Sequence, residues 1–330
     1  MTSPDLKPPD ASVVPLPWLR PLGRTGLTVS AVTAGGSPLG SMPRLYGREV
    51  SADEGISTVR AILASDIRTI DTANGYSDGA SEQRIGAALA AAGGLPPGVL
   101  VLTKVDARGS DYSGDRVRDS VDESRSRLGL DHLPLVHLHD PESHDFAELT
   151  APGGAVDALV GLKEAGVVGS IGLAGGRVQE IARYLALDVF DALLVHNRWT
   201  LVDRSAGDLL ADAAERGLGL LNAAVYGGGL LAAGPTAGRP TYGYRPAPPE
   251  LLRAVEAMRA ACVRHGTDLA TAALQLSLRD ARFSTTVVGM SRPSRVTSTL
   301  EMARREVDDD LWDELAALLP PSRVWLDAPF

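Results

Sequence analysis

The feature that leaves this chain least choice is a rhythm. Short apolar runs lie at 29–35, 68–71, 99–104, 135–139, 167–173, 192–197, 219–225 and 285–289. Helix-like stretches separate them, at 52–63, 81–92, 114–128, 155–165, 177–185, 205–216, 250–265 and 268–278, and another follows the last run at 293–304. Parallel strands need a crossover of a dozen residues or more, usually a helix, and eight such units close on themselves. The runs are mostly apolar rather than strictly alternating, as expected of strands covered on both faces. The segment LGRTGL at 22–27 predicts a hairpin that closes the barrel floor, and 311–319 predicts an additional C-terminal helix. A doubly wound open sheet would instead carry a glycine fingerprint after its first strand. Gly217-Leu-Gly219 precedes its strand and lacks the third glycine. The expected fold is therefore α/β: a (β/α)8 TIM barrel with an N-terminal β-hairpin and a C-terminal extra helix. It forms one domain over 21–330, behind a flexible Pro-rich tail at 1–20.

Composition narrows the partners. Net charge is −9 and no dense Lys/Arg block occurs, which argues against nucleic acid and anionic membranes, since phosphate contacts need clustered cations. The segment 217–238 has no charged residue, but its seven glycines make it a poor membrane helix. The single cysteine, Cys262, excludes an intrachain disulfide, reads as a buried small hydrophobe and fits a reducing, cytoplasmic location. The N-terminus lacks the apolar block of a signal peptide.

The strand ends of a barrel converge on one mouth. Asp71, Lys104 and His139 close three consecutive runs, and Tyr76 lies five residues past Asp71. The steps of 28 residues from Tyr76 to Lys104 and 35 from Lys104 to His139 are one βα unit each, so the four should meet. As a group they make a proton-transfer device. A phenol titrates near 10, too high for neutral pH, and a neighbouring ammonium lowers it. Asp71 keeps Lys104 charged, Tyr76 exchanges the proton, and His139 orients the reacting oxygen. None of these side chains is a hydride source, which implies a nicotinamide cofactor. His137, two residues before His139, points to the same face one layer deeper and reads as core or support. Ser81 is the expected N-cap of the helix at 81–92, with Glu82 at its positive end.

A metal site competes with this reading. His132, His137, His139 and His144 lie near Asp140 and Glu142, and zinc sites use such ligands. A His-x-His strand beside a barrel lysine is nonetheless an unfriendly place for a cation, and no metal is expected.

These residues resemble the aldo-keto reductase superfamily. DTANGYSDGASEQRIGAAL at 71–89 is similar to that family's D-T-A-x-x-Y-x-x-G-x-S-E-x-x-(L/I)-G motif. LTK at 102–104, LHDPE at 138–142 and LGRTGLTVS near the start match its lysine strand, its histidine strand and its opening hairpin. The resemblance implies carbonyl/alcohol interconversion with NADP(H) or NAD(H) bound across the mouth, Tyr76 as acid/base, Lys104 and Asp71 tuning it, and His139 orienting the carbonyl. The chain departs from the family where Ala174-Gly175 replaces a Ser-Asn pair, His196 a Gln and Ala223 a stacking Tyr. The stretches NAAVYGGGLLAAG and TYGYRPAPPE look like a bacterial subgroup of L-fucose and D-threo-aldose 1-dehydrogenases, with pyridoxal 4-dehydrogenase close by. That likeness implies oxidation of a cyclic hemiacetal to a lactone. The alternatives are an NADPH-dependent aldehyde or ketone reductase and a non-catalytic cofactor-binding subunit. The implied cofactor-binding residues are His196, Tyr226, Gly227, Gly289, Ser291, Arg292, Arg295 and Thr299, with Arg295 matching the family's arginine. Trp199 and Tyr244, aromatic loop residues, are the candidates for a small sugar or other carbonyl or alcohol substrate. The long stretch 230–249 reads as a lid. The expected assembly is a monomer or small homo-oligomer.

Overall fold

A computed structural model describes residues 17–233 and 240–327. Residues 1–16 of the Pro-rich tail and 234–239 of the long loop lie outside the described residues. Eight parallel strands close a barrel. We number them β1 (Val32–Gly35), β2 (Thr69–Asp71), β3 (Leu100–Val105), β4 (Leu133–His139), β5 (Val168–Gly175), β6 (Ala192–His196), β7 (Gly219–Ala223) and β8 (Thr285–Gly289), the last pairing back onto β1. The helices between them are α1 (Ala52–Leu63), α2 (Ala80–Ala91), α3 (Gly114–Leu128), α4 (Ala155–Glu164), α5 (Val178–Leu185), α6 (Gly207–Glu215), α7 (Leu269–Arg279) and α8 (Pro293–Arg304). Two further helices, Pro249–Arg264 and Asp310–Ala317, pack beside them.

The helices begin where the side chains can take over unpaired backbone donors. Ser51 accepts from Glu54 N–H at the start of α1 and Ser113 from Arg116 N–H at the start of α3. Helix α2 differs from expectation. Its N-cap is Gly79, with no side-chain cap, while Ser81 is the second residue of the helix. The Ser81 hydroxyl bonds Gly36 O at 2.8 Å and Thr72 Oγ1 at 2.9 Å instead. Glu82 lies in the first turn as expected, and it is fully buried there, accepting from Thr103 Oγ1 and Arg127. Both side chains tie α2 to the barrel.

The core has two layers. Outside the strands, a continuous apolar cluster fills the gap to the helices. Inside, Leu102, Leu135, Ala174, Leu194, Leu221 and Val287 pack over Leu22 and Val29. The latter two belong to the predicted N-terminal hairpin, Leu19–Pro21 against Thr28–Ser30, which plugs the floor. Its turn is anchored by Arg24 N–H to Gly217 O at 2.9 Å. Gly23 there has φ 49, and a Cβ would overlap Gly219 N and the Leu218 carbonyl carbon. Gly23→Ala is expected to cost about 1–3 kcal/mol through overpacking, read as a lower denaturation midpoint, with kcat unchanged because the mouth lies at the other end.

The long loop carries secondary structure in its described parts. It holds a short helix, Leu230–Ala233, and a hairpin pairing Thr241–Tyr242 with Arg245–Pro246. Cys262 is free and buried. Among the described residues no helix is long and apolar enough to cross a membrane.

Candidate active site

Register builds the site. Lys104 on β3 lies opposite His137 on β4, and Val105 opposite Leu138. One residue on, Asp106 comes opposite His139. Side chains two apart on a strand share a face, so the inner wall rises in layers. Leu102 and Leu135 form the lowest, Lys104 and His137 the middle, and Asp106 and His139 the rim. His137 is fully buried in the middle layer, where burial and Lys104 push its pKa down to about 3, leaving a neutral ring. Gly172, its neighbour on β5, leaves room for that ring.

Tyr76 arrives over this wall on the loop after β2. Thr72 N–H bonds Leu102 O at 2.9 Å and Asn74 N–H bonds Lys104 O at 3.0 Å, so the loop first follows β3. Asn74 is then fastened to α3: its amide donates to Ser120 O and Glu123, and its oxygen accepts from Arg116 at 3.0 Å. Ser77, Asp78 and Gly79 all have positive φ, which turns the chain back sharply after Tyr76. Such runs are strained and persist where the surroundings over-determine them.

Three partners use the three Lys104 ammonium donors: Asp71 Oδ2 at 2.7 Å, Thr72 O at 2.6 Å and the Tyr76 hydroxyl at 3.3 Å. The pair is dry, with Lys104 1% and Asp71 3% exposed. The Tyr76 ring meets His139 edge-on, centroids 5.5 Å apart. The four predicted residues thus converge. One expectation fails: the Tyr76 phenol lies well above its ordinary pKa, not below it. Burial is the largest cause, and Asp71, Tyr46, Asp106 and Asp140 add to it. The physical reason is visible in the distances, since Lys104 gives its shorter bonds to Asp71 and Thr72. Tyr76 rests as a protonated phenol.

His139 has a partner the sequence reading missed. Its Nδ1 lies 2.7 Å from Asp106 Oδ1, and the other Asp106 oxygen accepts from Gly75 N–H at 2.6 Å. Tyr112, also missed, accepts from His139 N–H at 2.9 Å and donates to Val105 O at 2.8 Å, clasping the ends of β3 and β4. Asp106 was findable: it has the same parity as Lys104, one step past the strand. Across the mouth, Asp140 bridges His139 Nε2 at 3.9 Å and His196 Nε2 at 3.6 Å. Burial works against ionisation of Asp140, but His196 and the other cations outweigh it and hold the carboxyl well below its usual range. The potential ligand atoms of Asp140, Glu142 and His196 lie within 4.8 Å of one another; Glu142 Oε1 accepts from the Gly176 and Arg177 N–H groups, and Oε2 is buried with no partner among the described residues. This group keeps Asp140 and Glu142 from the set weighed in the sequence and has His196 in place of its four histidines.

The remaining candidates divide. Tyr244 stands at the rim, 57% exposed, with φ 67 and its ring 6.4 Å from His196. Trp199 does not join it. Its ring lies between the guanidinium groups of Arg204 and Arg282 and touches Gly207, and Arg282 precedes β8 at the floor end. That is a packing environment outside the barrel, because the chain after β6 turns outward toward α6. Among the cofactor candidates, Arg295 lies 5.3 Å over the Tyr226 ring, whose buried hydroxyl has no partner among the described residues. Thr299 Oγ1 on α8 is likewise buried and unpartnered. Arg292 is the N-cap position of α8 with no side-chain cap, and Ser291 Oγ receives a 3.4 Å bond from Arg48. Gly289 ends β8, and Gly227 at φ 59 packs against the Tyr242 ring. A bare helix start, two guanidinium groups, an aromatic face and unpaired hydroxyls suit the phosphates and adenosine of a dinucleotide. The C-terminal segment borders the opposite side, where Asp327 accepts from Arg198 Nε and Val178 N–H, each at 3.0 Å.

Comparison with known proteins agrees with this geometry. A profile of the Aldo/keto reductase family matches residues 32–320. L-galactose dehydrogenase of Arabidopsis thaliana is 33% identical, covering 92% of this chain and 94% of its own. D-threo-aldose 1-dehydrogenase of a Pseudomonas species is 32% identical, over 88% and 94%. A solved aldo-keto reductase from Bacillus halodurans, in its holo form, superposes with a TM-score of 0.76 at 21% identity, covering 91% and 96%, and shares the fold.

Proposed function

The chain belongs to the aldo/keto reductase family, an oxidoreductase acting on CH–OH and carbonyl groups, and from that premise we propose that it is an NAD(P)-dependent sugar 1-dehydrogenase. The observation that carries the reading is the convergence of Tyr76, Lys104, Asp71 and His139 on one point of the mouth. Likeness to two aldose dehydrogenases over about nine-tenths of the chain favours an aldose among possible substrates.

The bound nicotinamide supplies the hydride acceptor and, when oxidised, a positive charge. The protein does the rest. In the proposed oxidation Tyr76 Oη, as its anion, takes the proton of the substrate hydroxyl, and in reduction the phenol gives it back. Lys104, fixed by Asp71, donates to that phenol oxygen and favours its anion when the proton leaves. His139 Nε2 points the substrate oxygen toward Tyr76. Asp140, His196 and Tyr244 line the rim, where carboxylate, imidazole and phenol suit the hydroxyls and faces of a sugar ring. Tyr226, Arg292, Arg295 and Thr299 hold the adenosine half.

Purified protein tested with NAD and NADP against a panel of aldoses is expected to form reduced nicotinamide with at least one of them. A panel of aldehydes and ketones, run with reduced cofactor, tests the biosynthetic-reductase alternative. Turnover of simple aldehydes only would move the substrate assignment there, and tight cofactor binding with no turnover of either panel would overturn the enzymatic reading. In a competition titration, Arg292→Ala and Arg295→Ala are expected to weaken NADP about tenfold or more while changing NAD less, because a guanidinium recognises the added phosphate. Equal effects on both cofactors would remove the arginines from 2′-phosphate recognition.

A further inference from the structure

Asp106 satisfies two donors at once. Oδ2 accepts the Gly75 N–H, one residue before Tyr76, and Oδ1 meets His139 Nδ1. The carboxylate therefore joins the loop that carries the phenol to the strand that carries the imidazole. An ionised carboxylate only accepts hydrogen bonds, so Nδ1 must carry a proton and the free nitrogen facing the mouth is Nε2. Resting on the oxidoreductase reading above, we infer that Asp106 is a positioning residue of the reaction. It commits His139 to the Nδ1–H form and stabilises the imidazolium, so the charge on His139 decides what Nε2 does to the substrate oxygen. Charged, Nε2 donates to a carbonyl; neutral, it accepts from a hydroxyl.

The surroundings of His139 support this. From β3 and its end come Lys104 and Asp106; from β4, His137, which stays neutral, and Asp140, with its oxygen 3.9 Å from Nε2. Tyr76 presents its ring, Tyr112 binds the His139 backbone, and His196 faces the far side of Asp140. Burial disfavours the imidazolium, and Lys104 adds to that. The charge and hydrogen bond of Asp106, with Asp140, outweigh both, so the His139 pKa lies above its ordinary value. The sign follows: the imidazolium persists above about pH 6.5 and is lost as pH rises through the raised value. Carbonyl reduction falls with that loss, whereas alcohol oxidation rises.

The test is Asp106→Asn. The Gly75 N–H still demands an acceptor, so the amide oxygen takes the place of Oδ2 and the NH2 group faces Nδ1. Two donors cannot face each other, and His139 is driven to the neutral Nε2–H tautomer. Long-range 15N–1H NMR of the apoenzyme is expected to show Nδ1–H in the wild type and Nε2–H in the variant, with the His139 pKa lower by more than about one unit. Because Nε2–H donates in both charge states of the variant, the fall of carbonyl reduction through the His139 pKa should disappear, and alcohol oxidation above the wild-type pKa, which needs Nε2 to accept, should fall about 10²-fold, mostly in kcat. A neutral wild-type His139 protonated on Nε2 alone, or a wild-type His139 titrating below 6.5, overturns the inference whether or not the variant folds. So does a folded Asp106→Asn with an unmoved tautomer and profile. The NMR measurement needs no substrate, so it stands even if the sugar reading fails.

Discussion

Tyr76→Phe is expected to lower kcat by about 10²–10⁴-fold, the range a positioned proton donor contributes, while cofactor affinity stays at the wild-type level. The structure gives the reason for the separation. The Tyr76 hydroxyl has one hydrogen bond, to Lys104 at 3.3 Å, and the loop that carries it is held elsewhere. Its backbone follows β3, and Asn74 is pinned by Ser120, Glu123 and Arg116. Removing one oxygen therefore leaves the ring and loop in place. Lys104 keeps its two shorter bonds, to Asp71 and Thr72. Steady-state kinetics paired with a fluorescence titration of reduced cofactor read the two effects independently. Wild-type kcat in the variant would remove Tyr76 from proton transfer, and a parallel loss of cofactor affinity would make its role structural.

Much of this site is legible before any coordinates, for a geometrical reason. A closed parallel barrel puts every strand's C-terminal end at one mouth, so residues one βα unit apart must be neighbours there. That rule alone brings Asp71, Lys104 and His139 together, and parity puts His137 one layer below His139. The helices α1, α3 and α8 fall where side-chain caps, glycine or proline mark their ends. What the sequence hides is what depends on distance. Whether Lys104 lowers the Tyr76 pKa depends on how its three donors are shared, and Asp71 and Thr72 take the shorter ones. Ser81 has the look of a cap, but packing against β1 and β2 claims its hydroxyl. Asp106 shares the parity of Lys104, but only the β3–β4 register sets it opposite His139. Trp199 and Tyr244 are both aromatic loop residues; only the turn of the chain after β6 sends one outward between two arginines.

Lys104 and Asp71 carry the other large effect, and here stability and chemistry can be pulled apart. Both are buried and 2.7 Å apart, and Asp71 Oδ1 already lacks a partner among the described residues. Lys104→Met strands a carboxylate in the barrel with neither oxygen paired to a cation. Removing one member of a buried pair costs about 3–5 kcal/mol, because the remaining charge has lost its compensation. Lys104→Met combined with Asp71→Asn removes both charges, and an apolar or neutral replacement of a buried pair is often close to neutral. The double variant is therefore expected to unfold at higher denaturant concentration than Lys104→Met alone, with a coupling of about 0.5–3 kcal/mol in the double-mutant cycle. Activity follows the opposite logic. The phenol keeps its burial and loses the only cation bonded to its oxygen, so turnover stays low in both variants even where the fold recovers. Denaturation and kcat measured on the same preparations decide the matter. Additive stability losses would mean that the pair is not coupled as its geometry requires, and recovery of turnover in the double variant would mean that Tyr76 works without an ammonium beside it.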